Sequence, residues 1–347
     1  MKKFFTVAAS LILSAAMLTA CGSSAAPAAT TGAPEATAVT QAPATETTEE
    51  TKSFNIAIVQ QLDHASLDEI RLAVEDELTK AAADKGFQVS YKEFNGQNDN
   101  TVLNQIGAQV VSDKYDAIIP IASLAAQCMV TAADGTNTPI IYAAVSDPAT
   151  AGLTDIPNVT GTSDALNTAF ILDMMLAAQP DVKTVGLLYS NSEANSQTPI
   201  AQAKEYLEQK GIAYIEKTGN STDEILTAAS SLVGRVEAVF TPTDNVVMAC
   251  EGAVAEILNQ AGIAHYTGAD SFVAAGAFTT SGVNYTELGT YTADMAVDIL
   301  LGGAVPEYHV MDGGIITVNT DTAEALGIDY SVFKTMANTV TEVTTVE

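Results

Sequence analysis

Ser146-Asp147-Pro148-Ala149-Thr150-Ala151-Gly152-Leu153, continued by Asn158-Val159-Thr160-Gly161-Thr162-Ser163, is a polar segment that lies between two similar halves of this chain. It follows the apolar, strand-like residues 140–145, and its Ser, Asp, Pro, Gly, Asn and Thr residues favour turns with exposed hydrogen-bonding groups. Ligands of open parallel sheets bind at loops beyond the carboxyl ends of strands. We therefore predict that the segment joins two lobes, forms part of a hinge and supplies half of a ligand site. A plain surface connection is the alternative.

The same order of strand and helix is repeated on both sides of this segment. Apolar runs predict strands, and longer stretches opened by capping residues and closed by glycine predict helices. In the first half, strands are predicted at residues 54–59, 89–94, 117–121 and 140–145, with helices at 67–85, 101–114 and 124–133. In the second half, strands at residues 182–189, 213–217, 238–241, 265–267, 279–285 and 315–318 alternate with helices. This alternation predicts an α/β fold of two Rossmann-like parallel-sheet lobes joined by a multi-strand hinge.

Three crossings between the lobes are predicted. The first follows residue 161, and the others lie near Asn284-Tyr285 and Gly313-Gly314. The first lobe would then comprise residues 54–161 with about 285–312, and the second lobe residues 162–284 with about 313–330. Residues 331–347 have the Thr, Val and Glu composition of a solvated tail.

The composition indicates an acidic protein with enough apolar residues for two cores. The chain has 347 residues, 47% of them hydrophobic, and a formal net charge of −28. This length fits two domains, and a surface this acidic repels nucleic acid and anionic lipid. We therefore exclude nucleic acid as a partner and expect contact with a membrane only through an anchor.

The N-terminus has the pattern of an export signal. Lys2-Lys3 precedes the apolar residues 4–17, which are too short to span a bilayer comfortably, and Leu18-Thr19-Ala20-Cys21 looks like a bacterial lipobox. We predict a signal peptide at residues 1–20, a lipid on the thiol of Cys21 and a disordered tether at residues 21–52. The protein would then be extracytoplasmic and anchored to the cell membrane by lipid. An ordinary secretory signal that contains a cysteine is the alternative.

Three polar residues at predicted strand ends are suited to a charged solute. Ser123 opens a helix whose free N–H groups and dipole favour an anion such as a carboxylate. Asp244 and Asp270 follow strands of the second half, where they would meet a cationic group of the ligand. Helix capping is the alternative role for each of the three.

The sequence contains no pattern of a catalytic site. Neither Gly-x-Ser-x-Gly nor His-Glu-x-x-His occurs, and the chain has three His in all. His64 lies beside Asp63, but a histidine in a strand-end loop is predicted to make a hydrogen-bonding contact rather than to act in acid–base chemistry. We predict a protein that is not an enzyme, has no catalytic residue, no metal site and no cofactor. An exported hydrolase is the rival class.

Several segments together resemble the solute-binding lipoproteins of ABC importers, and most of all their tryptophan/tyrosine-binding branch. The matching segments of the first half are Ile58-Val59-Gln60, Leu62-Asp63-His64, Asn95-Gly96-Gln97-Asn98, Ile121-Ala122-Ser123-Leu124-Ala125-Ala126-Gln127, Val145-Ser146-Asp147-Pro148, Ala151-Gly152-Leu153 and Asn158-Val159-Thr160-Gly161-Thr162-Ser163-Asp164. Those of the second half are Leu188-Tyr189, Glu193-Ala194-Asn195-Ser196, Thr243-Asp244-Asn245 and Tyr285-Thr286-Glu287-Leu288-Gly289. The resemblance covers residues 54–328 and rests on the order of these segments together with the lipobox.

The resemblance implies a periplasmic-binding-protein fold, type I-like, that closes on a small solute and delivers it to an ABC permease. The implied solute is an amino acid, and an aromatic amino acid is one candidate. Ser123, Ser146 and nearby loop N–H groups would hold its carboxylate, and Leu124 departs from the Pro or Thr usual near that position. Asp244, Asn245 and Asp270 would face its ammonium group or side chain, and Asn195 and Ser196 would add hydrogen bonds. The expected ligand-binding residues are Gln61, Asp63, His64, Asn98, Ser123, Ala125, Ser146, Asp147, Asn195, Ser196, Thr243, Asp244, Asn245, Asp270 and Tyr285. A tethered solute sensor that feeds no transporter is the alternative.

Overall fold

Two sheets of largely parallel strands organise residues 51–346, the part of the chain that the computed structural model describes. The strands are β1 Ser53–Gln60, β2 Gln88–Asn95, β3 Ala117–Ile121, β4 Ile140–Tyr142, β5 Val159–Ser163, β6 Thr184–Tyr189, β7 Ala213–Thr218, β8 Ala238–Thr241, β9 Ala264–Thr267, β10 Thr279–Gly282, β11 His309–Val310, β12 Ile315–Asn319 and β13 Val340–Val343. The helices are α1 Ala65–Lys85, α2 Asn100–Asp113, α3 Ser123–Ala132, α4 Thr168–Ala178, α5 Ala194–Lys210, α6 Thr222–Leu232, α7 Asn245–Met248, α8 Glu251–Gln260, α9 Asp270–Ala274, α10 Tyr285–Leu300 and α11 Thr320–Leu326, with a 3₁₀ helix at Ser331–Thr335. The expected signal peptide, Cys21 and all of the tether before Thr51 lie outside the described residues.

Each sheet forms the centre of one lobe. The first lobe contains a six-stranded sheet in the order β11-β5-β4-β3-β1-β2, in which every pair of neighbours is parallel. The second lobe contains a seven-stranded sheet in the order β13-β12-β10-β9-β8-β6-β7. Its strands are parallel except for the antiparallel pair of β10 and β12. The central strands β3 and β4 of the first sheet are continuous apolar runs, as expected for strands buried on both faces.

Apolar side chains fill both faces of the two sheets. One core lies between the first sheet and helices α2 and α3, and a second lies between the second sheet, α4 and α5. A third core begins under α1 and α10 of the first lobe and continues without a break beneath α6 and α8 of the second. Helix α10 approaches α1 closely because Gly289 has no side chain: a Cβ there would lie 2.6 Å from the carbonyl oxygen of Ile70.

The chain passes between the lobes three times. Residues 164–167 connect β5 to α4, residues 283–284 connect β10 to α10, and residues 311–314 connect β11 to β12. The first crossing therefore begins after Ser163, because β5 pairs with β4 in the first sheet. Ser146–Leu153, which we expected to form part of the hinge, instead remains in the first lobe between β4 and β5.

Residues 331–346 are ordered structure rather than the expected solvated tail. Strand β13 pairs in parallel with β12 and forms an edge of the second sheet. In the 3₁₀ helix, Phe333 is fully buried and lies against the ring of Phe278. The segment folds because one aromatic ring anchors it and its β-branched residues complete a sheet edge, although its overall composition is polar.

None of the helices between residues 51 and 346 is both long and apolar enough to span a bilayer. Cys128 and Cys250 are buried free thiols in different lobes.

Candidate ligand-binding cleft

A small cavity lies where strand ends of the two lobes face each other. The first lobe and the crossings supply His64, Ser66, Leu67, Ala122, Ser123, Ala144, Ser146, Asp164 and Tyr285, and the second lobe supplies Asn195, Thr243, Asp244, Asn245, Met248, Ala269, Ser271 and Phe272. Its volume is about 30 Å³, enough for water but far below the 300–1,000 Å³ or so of pockets that enclose small molecules. The lobes must therefore separate before a solute larger than water can enter.

Direct hydrogen bonds across the cleft hold the two lobes together. Ser146 of the first lobe and Thr243 of the second lie 3.0 Å apart between their hydroxyl oxygens. His64 Nε2 lies 3.1 Å from Asn245 Oδ1, and burial lowers the pKa of His64, which favours the neutral imidazole. Thr198 of α5 donates a hydrogen bond to the carboxylate of Asp147. The described structure is accordingly a closed form.

Three buried polar atoms on the cavity wall have no hydrogen-bond partner within the described chain. They are His64 Nδ1, Ser66 Oγ and Asn195 Oδ1. Burying a polar atom without a partner costs about 1–3 kcal/mol. All three belong to residues that line one cavity, so a polar molecule that enters it can supply the missing hydrogen-bond partners.

Two helices of the first lobe begin at this cavity. Ser66 lies in the first turn of α1, and Ser123 is the first residue of α3; both line the cavity. The N–H groups of a first helical turn have no partner within the helix, and the helix dipole there favours negative charge. This wall of the cavity is therefore suited to an anionic group, as we expected for Ser123.

Asp164 supplies a buried carboxylate on the hinge side of the cavity. It is 5% exposed, and its oxygens accept hydrogen bonds from Ser146 Oγ at 2.8 Å and from Tyr285 Oη at 3.2 Å. Burial raises the pKa of Asp164, and a cation beside it would favour the charged form. The sequence resemblance includes this residue, but we did not predict it as a site residue. Its position directly after β5, at the start of a crossing, was the available signal.

Asp244, which we expected to meet a ligand cation, caps helix α7 instead. Its Oδ1 accepts from the N–H groups of Val246 and Val247, and its Oδ2 accepts from Ser190 N and Ser196 Oγ. The side chain is fully buried, and burial raises its pKa. Its hydrogen-bonding capacity is therefore used within the second lobe, although the residue does line the cavity.

The structure gathers only part of the expected set at the cavity. Eight expected residues line it: His64, Ser123, Ser146, Asn195, Thr243, Asp244, Asn245 and Tyr285. Seven do not: Gln61, Asp63, Asn98, Ala125, Asp147, Ser196 and Asp270. Ala125 lies in the core under α3, and Asp63 is exposed and accepts a hydrogen bond from Asn95. Asp270 begins α9 and lines a separate surface pocket with Glu69, where burial and then Glu69 raise its pKa.

A strained backbone positions the start of α3. Ala122 has φ 77° and ψ 163°, a region that glycine alone adopts readily, and it lines the cavity. Its N–H donates to the carbonyl of Ala143 at 2.9 Å, and its carbonyl accepts the first helical bond from Ala126 at 3.0 Å. These bonds fix a conformation that the alanine side chain disfavours.

We expect Ala122→Gly to stabilise the protein by about 1 kcal/mol, because relief of 1–3 kcal/mol of strain exceeds the added entropy of the unfolded chain. The melting temperature measures the effect. Ala125→Gly, inside the same helix, is the matched control and should destabilise. Equal losses of stability at both positions would contradict the assignment of strain.

Two facing α/β lobes with a polar cavity between their strand ends define a protein of the solute-binding class. The family model described as "ABC transporter substrate binding protein" matches residues 55–339, and the chain belongs to this family. The predicted two-lobed fold and the prediction that the protein is not an enzyme are thereby confirmed.

Relatives with described ligands match along most of their length. A tyrosine-binding protein of Clostridioides difficile (strain R20291) is 32% identical over 290 residues, which cover 80% of this chain and 82% of the relative. The crystal structure of an ABC domain in complex with L-Trp from Streptococcus pneumonia is 29% identical with a TM-score of 0.78, covering 83% of this chain and 100% of that one.

The closed arrangement of the lobes agrees with a third comparison. The ligand-free, open structure of a substrate binding protein with adhesive properties from Clostridium difficile is 32% identical, with 84% of this chain and 100% of that chain covered. Its TM-score is 0.64, against 0.78 for the L-Trp complex, although its sequence is the more similar of the two. The structure described here is therefore more similar overall to the L-Trp complex than to the ligand-free, open structure.

Proposed function

We propose that this protein is an extracytoplasmic lipoprotein that captures an aromatic amino acid, tyrosine or tryptophan, between its lobes and delivers it to an ABC permease. The three unpartnered polar atoms of the cavity are the observation that carries the proposal. The ligands of the two relatives support the choice of amino acid. Leu18-Thr19-Ala20-Cys21 supports the lipid anchor.

The carboxylate and the ammonium group of an amino acid match two walls of the cavity. The first wall contains the starts of α1 and α3, and the second contains the carboxylate of Asp164. The carboxylate would accept from Ser66 Oγ and from N–H groups at the starts of α1 and α3. The ammonium group would lie against Asp164 and donate to Asn195 Oδ1. A zwitterion placed in this way satisfies unpartnered atoms of both lobes, and its binding would favour closure.

The remaining walls suit an aromatic side chain. Leu67, Met248 and Phe272 supply apolar surface, and Tyr285 adds a ring at the hinge. Thioether and aromatic groups make favourable contacts with aromatic rings. A separate cavity of about 580 Å³ shares Asp164 and Tyr285 with the ligand cavity. Free space therefore adjoins these two residues on the side away from the ligand cavity.

A melting-temperature panel over the twenty amino acids tests the proposal. We expect tyrosine or tryptophan at one hundred times its dissociation constant to stabilise the purified protein by about 2.7 kcal/mol. Alanine and glutamate serve as controls and should leave the melting temperature unchanged. A flat response to all amino acids would exclude the ligand class.

A further inference from the structure

A chain of polar side chains links the lobes beside the ligand cavity. Gln61 Nε2 of the first lobe donates to Glu193 Oε1 of the second lobe at 2.9 Å. Asn245 Nδ2 donates to the other oxygen of Glu193 at 2.7 Å, and Asn245 Oδ1 lies 3.1 Å from His64 Nε2. Gln61 and His64 both lie in the loop after β1. This series of hydrogen-bonded side chains therefore starts in the first lobe, passes through the second and ends in the first again.

Gln61 is fixed in position before it reaches across the cleft. Its Oε1 accepts from the N–H of Leu124 at 3.1 Å, and its Nε2 also donates to Asn98 Oδ1 at 2.8 Å. The side chain is fully buried in the closed form, and these two hydrogen bonds to the first lobe do not depend on the second lobe. A donor held in this way loses little entropy when it binds a partner on the second lobe.

Glu193 is the matching acceptor on the second lobe. It is 3% exposed, and no cation makes an ion pair with it among residues 51–346. A buried carboxylate without a cation needs hydrogen-bond donors, and one of its two amide donors belongs to the opposite lobe. Neither Gln61 nor Glu193 lines the ligand cavity, so this bond requires no contact with a solute.

We propose that Gln61 and Glu193 form a latch that stabilises the closed form and thereby sets how long a solute is held. The two act as positioning residues that do not touch the solute. The expected effect on solute retention rests on the proposed function. The expected effect on the open and closed populations of the ligand-free protein does not. Loss of the latch would shift the population toward the open form and weaken binding by the same factor.

An exchange of the two side chains tests the latch. Gln61→Glu places two carboxylates opposite each other, and Glu193→Gln leaves one carbonyl oxygen for the two amide donors of Gln61 and Asn245, so that one of these donors faces an N–H group. The double substitution restores one donor and one acceptor in reverse order, and Gln at position 193 can still accept from Asn245. Glu205→Gln, at an exposed position of α5, the helix that begins directly after Glu193, is the matched control.

We expect small-angle X-ray scattering of each ligand-free single variant to show a larger radius of gyration than that of the starting protein. Solute release should be about tenfold faster in each single variant. The double substitution should bring the release rate back to within about threefold of the starting value, and the radius of gyration back to that of the starting protein. Cooperative melting of every variant would verify that each one folds. An unchanged radius of gyration in both single variants, or a double variant that combines both losses, would overturn the proposal. If no amino acid binds, the scattering comparison still decides whether the latch exists.

Discussion

Asp164→Asn is expected to raise the dissociation constant of the amino-acid ligand by about a hundredfold or more. Loss of one partner of a buried, hydrogen-bonded charge pair costs about 2–5 kcal/mol, and 1.4 kcal/mol is a factor of ten. The asparagine keeps the size of the side chain: its Oδ1 can accept from one of the two hydroxyl groups that bond to Asp164, those of Ser146 and Tyr285, and its Nδ2 can donate to the oxygen of the other. The loss should therefore reflect the missing negative charge rather than damage to the hinge.

Isothermal titration calorimetry measures this effect, with melting in the absence of ligand as the check on folding. Asp181→Asn, at an exposed aspartate of the second lobe, is the control and should bind with unchanged affinity. An Asp164→Asn variant that retains the affinity of the starting protein would show that the ammonium group lies elsewhere. In that case Asp244, fully hydrogen-bonded as the cap of α7, would be the carboxylate to substitute next.

Phe333→Ala is expected to lower the free energy of unfolding by about 3–5 kcal/mol, the usual cost of removing a large buried ring. Phe333 is fully buried, and its ring centroid lies 6.1 Å from that of Phe278. Phe278 in turn packs edge to face on Tyr266 with centroids 5.5 Å apart. The substitution would leave a cavity in this aromatic cluster and loosen the segment that leads to β13.

Urea denaturation measures this loss of stability. Val346→Ala, at a position that is 72% exposed in the same C-terminal segment, is the control and should change the free energy by less than about 0.5 kcal/mol. Similar small effects at both positions would mean that the second core does not depend on the C-terminal segment.

The fold was predictable because local patterns dominate in buried parallel sheets. Residues 140–145, which contain β4, are apolar throughout and are followed by the turn-forming residues Ser146-Asp147-Pro148, so the strand and its exit loop are readable from the sequence. The C-terminal segment was predicted wrongly for the opposite reason. Its strand β13 is an edge strand of Val, Thr and Glu, and pairing with β12 rather than composition makes it a strand.

The position of the candidate site was also predictable, but the roles of its residues were not. Asp244 and Asp164 are both acidic residues that follow a strand closely. Tertiary contacts distinguish them: four donors within the second lobe surround Asp244, whereas two hydroxyl groups contact Asp164. The bond between Gln61 and Glu193 joins residues 132 positions apart in the chain, and no local pattern indicates it.

The order of the strands has a practical consequence for following domain motion. The first strand of the described chain, β1, lies inside the first sheet, and its final strand, β13, lies at the edge of the second sheet. A fluorophore attached before Ser53 and another attached after Val343 would thus lie on different lobes. Their energy transfer would report opening and closing in real time.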